Sequence, residues 1–175
     1  DLTFTPQADL TLCESKSASL QVVSNALQYD WTPASGLSAV NIPNPVASPR
    51  TTTQYIVTLT LGRCLSRDTV LVRVNPAPIP QAGSDIFICY GQSATLNGSG
   101  GTVYRWTPST YLNNPTVPNA ISTPDLNIYY VLSILSDANG CAGLTTDTVA
   151  IDVTPPIQVR TFPADTIGYP GDQFQ

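Results

Sequence analysis

Four cysteines are the residues of this 175-residue chain best equipped for covalent chemistry. Cys13 and Cys64 enclose about fifty residues, and Cys89 and Cys141 enclose about as many again. Zinc is a poor reading, because no C-x-x-C occurs, the chain has no histidine, and two ligands so far apart do not make a closed tetrahedral site. Disulfides are the better one, and they place the chain in an oxidising compartment. Four cysteines admit several pairings, and the repetition of the spacing favours the pairs internal to each half, Cys13 with Cys64 and Cys89 with Cys141. Loops of that length are expected to stabilise by roughly 4 kcal/mol each in the chain-entropy account.

Little else points to reaction chemistry. Without histidine there is no imidazole base, the carboxylates are scattered, and no nucleophile motif appears, so no catalytic residue and no cofactor is expected. Asp137-Ala138-Asn139-Gly140 lacks the D-x-D-x-D-G spacing and the distal glutamate of a calcium loop, and reads as a glycine turn with no metal. The net charge is −5, only 11 % of residues are charged, and Lys16 is the sole lysine, so nothing here neutralises a nucleic-acid backbone. No apolar run approaches the length that crosses a bilayer as a helix, and no membrane insertion is expected. Tyr90, Tyr111 and Tyr129 are candidates for a stacking platform that would take surface glycans.

The elements that must position these groups are written twice. Cys13, Leu20, Trp31-Thr32-Pro33, Leu37, Pro49, Tyr55, Cys64 and Asp68-Thr69-Val70 recur in order, about 75 residues on. Their counterparts are Cys89, Leu96, Trp106-Thr107-Pro108, Leu112, Pro124, Tyr130, Cys141 and Asp147-Thr148-Val149. A register that holds this well means one fold in tandem. Residues 1–76 form the first repeat, 77–155 the second, and 156–175 open a third, in which Tyr169 takes the cysteine position.

Sixteen prolines, abundant Thr, Ser and Val, and no stretch of helical period make the class all-β. Val70, Val72 and Val74 share one strand face, as do Val149, Ile151 and Val153, and Tyr55, Val57 and Leu59 repeat as Tyr130, Leu132 and Ile134. Strand A is expected near Leu10 to Cys13 and Ile86 to Cys89, C at Leu27 to Trp31 and Val103 to Trp106, with F and G a closing hairpin. Short strands in this order suit an immunoglobulin-like sandwich with Trp31 and Trp106 in its core. Tyr55 and Tyr130 open strand F as a tyrosine-corner residue does, but the second cysteine follows nine and eleven residues later rather than two. That displacement is read as putting the disulfide at one pole of each sandwich. The prolines of Asn75 to Pro80 form a semi-rigid spacer, so the repeats are expected end to end as a rod.

The ordered string C-x-G-x-S-x-x-L, Y-x-W-T-P, G-C and D-T-V resembles the PKD-like or immunoglobulin-like repeats of very large type IX-secreted surface proteins of gliding Bacteroidetes. The second repeat carries it best, through Cys89 to Leu96, Tyr104 to Pro108 and Gly140-Cys141; the first departs with Glu14-Ser15 at the glycine position and Arg63 before Cys64. The resemblance implies an extracellular, cell-surface adhesin or gliding-motility-associated protein with an upstream signal peptide and a C-terminal sorting domain. It implies a stalk or filament role, with neighbouring repeats, a homo-oligomer or fibre, and host or prey cell surfaces as partners. Asp-Thr followed by an aliphatic residue also looks like the O-glycosylation sequon of such proteins, which makes Thr69, Thr148 and Thr166 candidate acceptors; the alternative is a threonine that merely suits a strand.

Overall fold

The structure is a computed structural model and describes residues 1–157; the expected opening of a third repeat, with Thr166 and Tyr169, lies outside the described residues. The described residues contain fourteen β-strands and no helix. In the first repeat a four-stranded sheet runs β2 (Leu10–Cys13), β8 (Cys64–Asn75), β7 (Thr53–Leu61), β5 (Gln28–Thr32). The second repeat copies it as β9 (Ile86–Cys89), β14 (Thr146–Thr154), β13 (Ile128–Ser136), β11 (Val103–Thr107). Two-stranded ladders complete each layer pair: β3 (Ala18–Ser19) with β6 (Val46–Ala47), and β10 (Ala94–Thr95) with β12 (Ile121–Ser122).

The opening strand of each large sheet lies parallel to the closing one, β2 beside β8 and β9 beside β14, whereas the other pairings are antiparallel. This is the A′–G, G–F, F–C order of an immunoglobulin-like sandwich. A short first strand, β1 (Phe4–Thr5), pairs instead with β4 (Val23–Ser24) before the chain crosses to β2. The bridge between Gln81 and Ser99 repeats that crossing in the second half.

Each repeat has its own core. Leu20, Trp31, Tyr55, Val57, Leu59, Val70 and Val72 are buried together in the first, and Leu96, Trp106, Tyr130, Leu132, Ile134, Val149 and Ile151 in the second. Inward side chains alternate with outward ones along the F and G strands, the period that lets one sheet face be buried and the other wet.

Candidate functional site

The tryptophans and tyrosines are anchors of the long loops between C and E. Trp31 and Trp106 are 1 % exposed, and their indole N–H groups donate to the Ile42 and Val117 carbonyls at 3.0 Å. The Tyr55 hydroxyl donates to the Ser35 carbonyl at 2.8 Å, and Tyr130 to Thr110 at 2.7 Å. Tyr130 also shares a 2.7 Å bond with Ser122 Oγ, a fully buried hydroxyl. Burial pushes the phenols of Tyr55 and Tyr130 above their ordinary range. A core that uses both the ring and its polar tip leaves nothing of these four residues for ligand.

The Asp-Thr-Val strings have a structural task that sequence reasoning missed. Gln7 N–H donates to Asp68 Oδ2 (3.3 Å), and at the matching place Ala82 N–H donates to Asp147 Oδ2 (2.8 Å). The exchange is reciprocal. Leu71 N–H donates to Asp9 Oδ1 (3.1 Å), and Ala150 N–H to Asp85 Oδ1 (2.8 Å). Two carboxylates therefore latch the entering segment of each repeat to its closing strand, and an Arg73–Asp9 ion pair of 3.2 Å adds to the first. The backbone N–H of Ala82, then that of Thr148, hold the Asp147 carboxyl below the usual carboxylate range. The signal was present in the sequence, since Asp9 and Asp85 precede equivalent strands. Thr69 and Thr148, between these carboxylates and the core valines, are exposed on the outer face.

The cysteines correct the expected pairing. Cys13 is bonded to Cys141, with 5.5 Å between their Cα atoms, and the link joins the two repeats; Cys64 and Cys89 are free and exposed. The reason lies in the parallel strand pair. Cys13 sits opposite Asn75, the last residue of β8, while Cys64 is the first. Those ends are about 35 Å apart at ~3.3 Å per residue, whereas a disulfide needs Cα atoms within roughly 7 Å. Cys89 lies likewise opposite Thr154, the last residue of β14, whereas Cys141 comes before Thr146, the first. Cysteines of one repeat occupy opposite poles, so only neighbouring repeats can bring them together.

At the junction Ala77 N–H donates to Glu14 Oε2 at 3.0 Å, beside the bonded Cys13. A cleft of about 310 Å³ is lined there by Glu14, Pro76, Pro78, Ile79 and Leu144. Cys141 is 1 % exposed and held by its own loop: Asp137 Oδ1 accepts the N–H groups of both Asn139 and Cys141 at 2.8 Å. These bonds, that from Cys141 foremost, keep the Asp137 carboxyl below its ordinary range. The carboxylate read above as part of a turn is thus occupied in shaping the loop that presents the sulfur. Among the described residues no cluster of three or more His, Cys, Asp or Glu side chains has the arrangement to hold a metal.

The three tyrosines expected to form a stacking platform sit on three different segments of the second repeat. Tyr90 follows β9, Tyr111 lies in the loop after β11, and Tyr129 points outward from β13; all three are exposed. A cleft of about 430 Å³ in the same repeat is lined by Tyr104, Arg105, Trp106, Pro115 and Leu135 and by none of them.

The molecule is a tandem of immunoglobulin-like β-sandwiches joined by an inter-repeat disulfide. No protein-family model and no curated protein matches this sequence. Among solved structures it is similar to the titin I-band fragment I67-I69, at 10 % identity and a TM-score of 0.48, over 89 % of this chain and 66 % of that one. It is similar also to the Drosophila OTK extracellular domains 3-5, at 14 % identity and a TM-score of 0.44, over 88 % of this chain and 62 % of that one. Sidekick-1 immunoglobulin domains 1-4 match at 13 % identity and a TM-score of 0.44, over 87 % of this chain and 48 % of that one.

Proposed function

We propose that the chain is a non-enzymatic, load-bearing segment of an extracellular surface protein, in which repeats 1–76 and 77–155 act as a stalk. The disulfide between repeats is the observation that carries this reading. Tension applied at the two ends would otherwise enter each sandwich through its opening strand, leave through the parallel closing strand, and shear the bonds between them. With Cys13 bonded to Cys141, load passes from one sulfur to the other. The 128-residue stretch between them is then a closed loop that carries none of it. A bond that spans two folded cores does little for either core's chemistry and much for the reach of the whole. The disulfide and the secreted family resemblance both favour an extracellular place.

Pulling single molecules from both ends tests this. Oxidised protein should show no lengthening from the interior of either repeat, and reduced protein should release about 430 Å of chain at ~3.4 Å per residue. Equal lengthening in both states would remove the load-bearing role. The rival reading, a glycan-binding module, predicts specific binding on a glycan array that Tyr111→Ala abolishes. Acceptor threonines at Thr69 and Thr148 predict an intact mass above that of the bare chain in material from the native host.

A further inference from the structure

Cys89 ends β9 as Cys13 ends β2, and its surroundings copy those of the bonded sulfur. Glu14 N–H donates to the Asn75 carbonyl (2.8 Å) and Tyr90 N–H to Thr154 (2.9 Å); Lys16 N–H donates to the Cys13 carbonyl and Gln92 N–H to Cys89, both at 3.0 Å. The left-handed backbone is kept as well, with φ of 64° at Ser15 and 78° at Gly91. Asn75 and Thr154 each lead straight into a proline, Pro76 and Pro155, so both sulfurs stand where the chain leaves a repeat. Cys13 is bonded there to the F–G turn of the repeat that follows, whereas Cys89 is free and exposed. Cys64, the other free thiol, is out of its reach. It opens β8, whose last residue lies opposite Cys13, so the lengths of β8 and β14 both separate it from Cys89.

We propose that Cys89 is the open half of a second inter-repeat clamp, and that its partner is the F–G cysteine of the next repeat of the same chain, the one that residues 156–175 open. The proposal rests on the stalk reading and deepens it by naming what Cys89 binds. The sequence of that opening supplies a second observation. Asp165-Thr166-Ile167 and Gly171 match Asp85-Ile86-Phe87 and Gly91 at a constant offset, which puts Tyr169 at the place of Cys89. A repeat that paired its own sulfurs would lose both cysteines together. By the rule of Cys13 and Cys141 the two serve different neighbours, since an A′-end sulfur reaches forward and an F–G sulfur reaches back. Tyr169 then removes only the forward clamp of the third repeat, which keeps its F–G cysteine for Cys89. The Cys13–Cys141 separation places that cysteine about 128 residues beyond Cys89. It should shortly precede an Asp-Thr-aliphatic string, as Cys64 precedes Asp68 and Cys141 precedes Asp147.

The bond forms by exchange with a low-molecular-weight disulfide of the oxidising compartment. The Cys89 thiolate attacks it and expels one small thiolate, and the F–G thiolate then attacks the Cys89 sulfur of the mixed disulfide and expels the other. Two protein thiols and one small disulfide become one protein disulfide and two small thiols.

The test is disulfide mapping of the full-length protein from its native host, alkylated before any reduction and cut with trypsin. Lys16, Arg63, Arg67, Arg73, Arg105 and Arg160 put the four cysteines on separate peptides: one ending at Lys16, then 64–67, 74–105 and 106–160. Peptide 106–160 should be linked to the one ending at Lys16, and 74–105 to a peptide from beyond residue 175 whose cysteine precedes an Asp-Thr-aliphatic string. Replacing that cysteine by serine should leave Cys89 fully alkylated and the first link intact. In the unsubstituted protein, a Cys89 that is alkylated, capped by a small thiol or linked to any other cysteine, Cys64 of a second copy included, would overturn the proposal. So would a following repeat with no F–G cysteine. A free Cys89 beside an intact Cys13–Cys141 bond sinks the second clamp alone, because the load-bearing role is decided separately by the pulling experiment.

Discussion

Cys13 and Cys141 are bonded across the junction although 128 residues separate them in sequence. Closing so long a loop removes much of the freedom of the unfolded chain, and the chain-entropy relation sets the stabilisation at about 5 kcal/mol. Cys141→Ser should therefore lower the stability of the tandem by up to that amount. Denaturant unfolding should then show the two cores melting apart, because they share no other covalent tie than the backbone.

The carboxylate latch makes an acid-sensitive contribution. Asp147 is held below the ordinary carboxylate range by the Ala82 and Thr148 amides, so it binds protons less readily folded than unfolded. Its contribution is complete above the unfolded value, near pH 4, and is lost as pH falls through the folded one. Asp147→Asn should cost about 1 kcal/mol at neutral pH, the low end for a charged acceptor because solvent reaches the pair. It should also flatten the acid limb of a stability profile measured by chemical denaturation.

The two tyrosines should differ in cost. Tyr55→Phe removes one bond, to the Ser35 carbonyl, and should cost about 1 kcal/mol. Tyr130→Phe also strands the buried Ser122 hydroxyl and should cost about 2 kcal/mol, much of it recovered in the Tyr130→Phe, Ser122→Ala double variant. Both phenols titrate higher folded than unfolded. The stability they confer is whole below about pH 10 and falls as pH rises through the folded values, a loss each phenylalanine variant should reduce.

Equivalent turns use different residues at one backbone geometry. Gly91 has φ 78° and open space where a Cβ would go, so Gly91→Ala meets only the left-handed penalty, about 1 kcal/mol. Ser15 already bears that penalty at φ 64°, and Ser15→Gly should stabilise the first repeat, by less than the same amount because glycine frees the unfolded chain. Thermal melts of the two variants should move in opposite directions.

Much of the architecture was legible because it rests on local pattern. β2 and β9 fall on the expected residues, and the inward valines and tyrosines of F and G follow from period-2 alternation. The opening strand β1 was not, since two residues carry no readable period. Asp9 and Asp85 were also overlooked, because a carboxylate before a strand looks like turn chemistry until the amide it accepts, some 62 to 65 residues away, is in place.

From its own letters the chain determined that one sandwich is built twice, since the same apolar side chains at the same spacing must bury the same way, and that its cysteines come in equivalent sets. Which sulfur meets which was decided only in three dimensions. Parallel A′ and G strands carry the A′ end and the F–G turn of a single repeat to opposite poles, and no count of residues between cysteines records that distance. A bond within each repeat would have had to cross the length of the sheet, so the sulfurs of adjoining repeats meet instead.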